Sequence, residues 1–186
     1  MGIVLLELNK ALNLNKKGGY QLTYNGCLPS DELMIEQQTR YQCKRYYEEI
    51  LEFLRSKTDV RTVVLFYRWG LYYNSTRFNN EEGGKEKGKN HNVIKINQIK
   101  KKENNRINDI NDSLYTFLKK IKNLNKEIII VKSTPEMGWE VPNLLAKKLI
   151  NNKKIDDNFL STDKELYKHR NKDFNIMNFS DNGTEH

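Results

Sequence analysis

Thr62-Val-Val-Leu-Phe-Tyr-Arg-Trp69 and Ile128-Ile-Ile-Val-Lys-Ser-Thr-Pro-Glu-Met-Gly-Trp-Glu-Val-Pro142 decide how this chain is read. Each opens as a β-branched apolar run without the alternation of a half-exposed strand, which is the pattern of a parallel strand covered on both faces. Each then stops at polar and aromatic residues. In open α/β sheets, ligands sit beyond the carboxyl ends of such strands. Arg68-Trp69 and Pro135-Glu136 therefore fall where an α/β protein places its working residues.

Working outward, the spacing predicts a helix over 3–14 (Ile3, Leu5, Leu6, Leu8, Leu12) closed by Gly18-Gly19, and a short strand over Tyr20–Tyr24 with a turn at Asn25-Gly26. A loop over Cys27–Thr39 follows. A second helix covers Tyr41–Arg55, with Tyr46, Tyr47, Ile50, Leu51 and Leu54 on one face, and leads into a strand over Arg61–Tyr67. A third helix, Ile107–Asn123, presents Ile110, Leu114, Phe117, Leu118 and Ile121 and runs into a strand over Glu127–Lys132. Helices over Asn143–Asn151 and around Leu166–Arg170 complete the reading. Strands alternating with helices of this length argue for an α/β sandwich of flavodoxin-like type.

The 186 residues suit one domain. We divide it as 1–78 plus 107–170, interrupted by 79–106 and followed by a polar tail over 171–186. The interruption is charged, glycine-rich and low in complexity, so it is expected to be a mobile surface insertion with nothing to bury. The net charge of +8 rests partly on an unusual supply of lysine and asparagine, 24 of each, and half of it lies in 79–106. Aromatic residues are absent from that stretch, so the stacking platforms of a single-stranded nucleic-acid binder are missing, and no nucleic-acid partner is expected. No run of 18 apolar residues exists to span a membrane. The start, Met1-Gly-Ile-Val-Leu-Leu-Glu, lacks the basic flank and small-residue cleavage site of a signal peptide.

Candidate chemistry is sparse. Arg68 offers a rigid donor fork for an oxyanion, a carboxylate or a sugar, with Tyr67, Trp69, Tyr72 and Tyr73 beside it. The competing reading pairs Arg68 with a helix carboxylate and puts Trp69 in the core. In Pro135-Glu136-Met-Gly-Trp139, Gly138 permits a tight turn and Glu136 can orient a partner or accept a proton, or simply lie exposed on a structural loop. The histidines make no base site: His91 sits in the insertion, His169 reads as surface and His186 is the last residue. No serine sits in a Gly-x-Ser-x-Gly elbow or a Gly-Asp-Ser turn, and no Gly-rich phosphate loop follows a strand. Cys27 and Cys43 lie 16 apart and fit no zinc pattern, leaving either two free thiols or one disulfide. Neither a metal nor a cofactor is expected. Asn74-Ser-Thr76 matches a glycosylation sequon.

Taken in order, Asn25-Gly-Cys-Leu-Pro29, Cys43 opening a helix, Val63-Val-Leu-Phe-Tyr-Arg-Trp69 and Thr134-Pro-Glu-Met-Gly-Trp-Glu-Val-Pro142 resemble the SGNH domain attached to membrane acyltransferase-3 proteins. The stretch from Ser161 through Tyr167 to Arg170 resembles a further family segment, so the likeness spans roughly residues 3–170 outside the insertion. It implies a three-layer α/β/α fold of SGNH type and O-acylation of surface polysaccharide by serine-dependent acyl transfer. The partners implied are a carbohydrate acceptor and a membrane acyltransferase domain, on the periplasmic side of the membrane. It implies a Cys27–Cys43 disulfide, substrate contacts from Arg68, sugar platforms at Trp69 and Trp139, and a loop-organising role for Glu136. The family's nucleophile lies in a Gly-Asp-Ser turn after the first strand, and its base in an Asp-x-x-His block near the C-terminal end. Neither block occurs here, since the residue three before His186 is Gly183 and Asp181 is five away. The expectation is a domain truncated at both ends, with an incomplete parallel sheet, no catalytic residue of its own and no activity as a lone chain. The alternative is a catalytically inactive carbohydrate-binding module.

Overall fold

A computed structural model describes residues 12–24, 26–36, 42–98, 105–151 and 161–174. Its elements are β1 (Leu33–Ile35), α1 (Gln42–Ser56), β2 (Thr62–Phe66), α2 (Trp69–Asn74), β3 (Val93–Lys95), α3 (Arg106–Lys122), β4 (Glu127–Val131), α4 (Val141–Ile150) and α5 (Lys164–Arg170). The two deciding stretches form β2 and β4. They pair in parallel from Thr62 opposite Glu127 to Phe66 opposite Val131, so their carboxyl ends lie side by side.

The core follows from the periodicity of α3 and the alternation of the strands. Ile110, Leu114 and Leu118 of α3 join Leu65, Trp69, Leu71 and Tyr73 in one buried cluster, with Val63, Ile128 and Ile130 packed against it. A second cluster joins Phe117 and Ile121 of α3 to Tyr47 and Leu54 of α1 and to the cysteine pair. The opposite face of the parallel pair is open, so the covering of both faces expected from the apolar runs is corrected to one: Val64 is 42% and Ile129 is 51% exposed. α4 buries none of its side chains. The chain is thus an α/β protein with a small parallel pair and a small antiparallel pair among its described residues.

Several expectations need correction. Tyr20–Tyr24 forms no strand and is largely exposed. Its aromatic rings bind the outside of α1 instead: Tyr20 meets Phe53 edge-on at 5.1 Å and Tyr24 stacks on Tyr46 at 4.8 Å. The loop expected over Cys27–Thr39 contains β1, three fully buried residues paired antiparallel with β3. β3 itself lies in the stretch expected to bury nothing, yet Val93 is 2% exposed and Asn80 is 6% exposed. The helix expected over 3–14 lies mostly outside the described residues, as does His186; residues 12–14 are helical.

Cys27 and Cys43 form a disulfide, Cα atoms 5.5 Å apart, with both residues buried. The bridge ties the segment before β1 to the start of α1. Lys126 is also buried, its Nζ donating to the carbonyls of Lys57 at 2.8 Å and Val60 at 2.7 Å, which fixes the turn between α1 and β2 against the start of β4. Among the described residues, no helix is long and apolar enough to cross a membrane.

Candidate functional site at the carboxyl ends of β2 and β4

Because β2 and β4 run in parallel and in register, the residues that leave them meet. Arg68, two residues past β2, donates through Nη2 to Glu136 Oε1, five residues past β4. Its Nη1 and Nη2 also hold both oxygens of Glu86, each at 2.8 Å, in a planar two-bond fork. Arg77 Nη1 reaches the same Glu86 carboxylate at 3.0 Å. On the other side of Glu136, Arg170 Nε donates to Oε2 at 2.7 Å. Arg170 continues through Nη1 to Thr76 Oγ1 at 3.0 Å and through Nη2 to the Thr76 carbonyl at 2.5 Å. Five charged side chains from four parts of the chain thus form one chain of contacts, Arg77–Glu86–Arg68–Glu136–Arg170.

Local sequence explains the placement. Arg68 precedes the first residue of α2, so the chain turns sharply from strand to helix and leaves the guanidinium at the sheet end. Gly70 lets Arg170 approach: a Cβ there would lie 3.1 Å from Arg170 Cγ and 3.2 Å from its Nε. α5 is started by Asp163, whose carboxylate accepts from the backbone N–H groups of Glu165 and Leu166, a cap worth about 1 kcal/mol. The helix ends with Arg170 against the site. Thr162 Oγ1 donates to the Glu136 carbonyl at 2.7 Å and Tyr167 to the Ser133 carbonyl at 2.8 Å, so α5 braces the loop after β4. Gly138 takes the positive φ of 71° that its turn requires.

The electrostatics grade along the network. Glu136 and Arg170 side chains are each 9% exposed, whereas Arg68 is 42% and Glu86 26% exposed. The hydrogen bonds from Arg68, with its charge and that of Arg77, hold the Glu86 carboxyl at about 2, and Glu86, then Glu136, raise the Arg68 guanidinium above its ordinary value. His91 lies beside Arg77, 3.2 Å from Nη2, with its ring 5.6 Å from that of Tyr72. Burial, then the charges of Arg77 and Arg68, keep its imidazole below the ordinary histidine range.

The structure brings Arg68 and Glu136 into contact and parts the two tryptophans. Trp69 is completely buried, stacked on Phe174 at 4.3 Å, with Nε1 donating to the Val131 carbonyl at 2.8 Å. A sugar platform needs an open ring face, so Trp69 is a core residue and its assignment as a substrate contact is withdrawn. Trp139 is half-buried and lies over Gly83 and Gly84. Glu86, Arg77 and Arg170 were not among the candidate site residues. Arg170 stood at the end of a family-like segment; Glu86 lay in low-complexity sequence that carried no signal. The sequon residue Asn74 has its amide committed to the carbonyls of Gly70 at 2.8 Å and Arg170 at 2.7 Å. His169 is exposed on α5. Among the described residues, no group of three or more His, Cys, Asp or Glu side chains is arranged to hold a metal ion.

An α/β protein with its polar residues gathered beyond two parallel strand ends is the class that this geometry defines. Residues 4–181 match the family described as the SGNH domain fused to acyltransferase-3 (AT3) domains, and the chain belongs to that family. That membership makes it an acyltransferase-associated SGNH domain, with an AT3-type membrane domain as its class of partner. No curated protein and no solved structure gives a significant match.

Proposed function

We propose that this chain serves O-acylation of a cell-surface polysaccharide: a serine-mechanism acyl transfer to sugar hydroxyls, in which the crevice beyond β2 and β4 receives the carbohydrate acceptor. The observation that carries the reading is the meeting of Arg68 and Glu136 at adjacent parallel strand ends. Trp139 supplies a half-buried aromatic ring packed over Gly83 and Gly84 where Trp69 is wholly in the core, and Glu136 positions the Arg68 fork. The serine and histidine of the reaction are not assigned within these residues, because His91 faces Arg77 and Tyr72 and His169 points to solvent. We read the domain as 1–78 with 107–170, carrying 79–106 as an insertion, in a flavodoxin-like three-layer arrangement with an incomplete parallel sheet. The parallel sheet of only two strands among the described residues supports that incompleteness. The buried disulfide supports folding in an oxidising compartment, and we place the domain on the periplasmic side of the membrane.

The test is acyl transfer in cells that carry this chain together with an AT3-type membrane protein, read as alkali-released acetate from surface polysaccharide. Loss of the chain and the substitution Arg68→Ala should both lower O-acetyl content. Unchanged O-acetyl content in both would remove the acyltransfer reading.

A further inference from the structure

The fork of Arg68 already holds a carboxylate, and that carboxylate comes from a loop between two glycines of positive φ. Glu86 sits on a loop flanked by Gly83 at φ 93° and Gly88 at φ 123°, conformations in which glycine is at ease. Within itself the loop is tied by a bridge between Asn79 and Lys85, by Glu86 N–H donating to the Phe78 carbonyl at 2.8 Å and by Gly84 N–H donating to Asn80 Oδ1 at 2.7 Å. To the loop after β4 it is tied by Asn80 Nδ2 donating to the Met137 carbonyl at 3.2 Å and by Gly84 seated under the Trp139 ring. A groove of about 360 Å³, lined by Thr76, Arg77, Asn79, Lys85 and Glu86, opens beside the pair. That volume falls within the ordinary range for small-ligand sites.

Two magnitudes decide which half of the network is permanent. Glu136 and Arg170 are nearly sealed from water, and breaking a buried pair by removing one partner is strongly destabilising. Arg68 and Glu86 are part-exposed, so parting them returns both charges to water instead of leaving one sealed without a partner. Three guanidinium groups face two carboxylates, so the network already carries one positive charge unbalanced. Withdrawing Glu86 frees the outer faces of Arg68 and Arg77 together.

We propose that Arg68 is a receptor for the carboxylate of an acidic sugar unit and that Glu86 occupies it as an internal stand-in which the glycan displaces. This rests on the reading of the crevice as a glycan acceptor site. The bound carboxylate of Glu86 defines the geometry, two parallel N–H···O bonds at 2.8 Å. The groove receives the rest of the sugar. Trp139 is uncovered as Gly83 and Gly84 move away. No bond is made or broken; the exchange is one carboxylate for another.

The probe is trigalacturonate, compared with its methyl ester, titrated calorimetrically at low ionic strength. Wild-type chain should bind the acid weakly. Glu86→Gln should bind it about tenfold tighter, because the competent open state no longer competes with an attached carboxylate. Gly84→Ala should do the same by a different route, since its Cβ would lie 2.7 Å from the Trp139 ring and from Asn80 Nδ2. Arg68→Gln should abolish binding. In the wild-type chain, needing no variant, amide exchange over residues 79–88 should quicken when trigalacturonate is added. Equal binding of acid and ester by Glu86→Gln overturns carboxylate recognition while leaving a sugar acceptor site in place. Unchanged affinity in both loop variants with unchanged exchange overturns the stand-in role. Absence of acid binding in every form overturns the whole inference, and the O-acetyl assay judges the acyltransfer reading separately.

Discussion

Arg170 Nε donates to Glu136 Oε2 at 2.7 Å across 34 residues of sequence, and each side chain is 9% exposed. This pair joins the last described helix to the loop after β4, so it is both a structural clamp and the fixed base on which Arg68 rests. Removing one partner leaves the other charge buried without compensation. Glu136→Ala should therefore cost about 3–5 kcal/mol of unfolding free energy. Urea denaturation followed by tryptophan fluorescence measures it. The double replacement Glu136→Met with Arg170→Met should recover a large part of the loss, because two apolar side chains leave no orphaned charge. If the double variant is as unstable as the sum of its singles, the clamp is not the source of the effect.

Acid should weaken the site in two steps. Glu86 is held at about 2, below its ordinary 4.5, chiefly by the hydrogen bonds and charge of Arg68. A carboxylate depressed in the folded chain adds stability that is complete above the unfolded value and disappears as pH falls from about 4.5 toward about 2. His91 is held below its ordinary 6.5 by burial and by Arg77 and Arg68. The folded chain favours the neutral ring, so its contribution is complete above pH 6.5 and declines as pH falls from there. Thermal melts across pH 2 to 8 should show both declines. Glu86→Gln should flatten the lower one and His91→Gln the upper one; a Glu86→Gln profile that matches wild type below pH 4.5 would contradict the assignment.

What was legible in the sequence was whatever depended on long periodic runs. α3 and the two parallel strands announced themselves because Ile110, Leu114 and Phe117 recur at helical spacing and the strand runs are purely apolar. Convergence of Arg68 and Glu136 followed from the parallel topology alone. Three-residue strands such as β1 and β3 carry no period and were invisible. Tyr20–Tyr24 alternates like a strand, but its tyrosines find rings on α1 rather than a sheet edge. Glu86 was hidden for another reason: its partners, Arg68 and Arg77, lie 18 and 9 residues away, and nothing in a glycine- and lysine-rich loop marks one carboxylate from its neighbours. Trp69 and Trp139 share a strand-end position in sequence, and only packing separates them.

The tryptophans should therefore behave oppositely. Trp69 fills the core against Phe174 and satisfies the Val131 carbonyl, so Trp69→Ala should cost about 3–5 kcal/mol through cavity and transfer losses. Trp69→Phe should restore much of the packing but leave that carbonyl without its partner. Trp139→Ala removes a half-buried ring from above Gly83 and Gly84 and should cost less than half as much, while loosening residues 79–88 in hydrogen exchange. Equal stability losses for the two alanine variants would show that Trp139 is a core residue as well.

The disulfide offers the last test, because it connects stability to compartment. Cys27 and Cys43 are 16 residues apart in sequence and both are buried in the cluster that includes Tyr47, Phe117 and Ile121. Closing a loop of that length removes unfolded-state freedom worth about 3 kcal/mol. The bridge also holds the segment whose Cys27 carbonyl lies 3.4 Å from the Tyr47 hydroxyl, which in turn meets the Tyr67 hydroxyl at 2.7 Å just before Arg68. Reduction under native conditions, or Cys27→Ser with Cys43→Ser, should lower the urea midpoint by the equivalent of about 3 kcal/mol. It should also loosen the Tyr47–Tyr67 pair, seen as a rise in phenol accessibility to iodination. A chain equally stable with and without dithiothreitol, its bridge verified by mass spectrometry in each state, would show that the fold draws nothing from an oxidising environment.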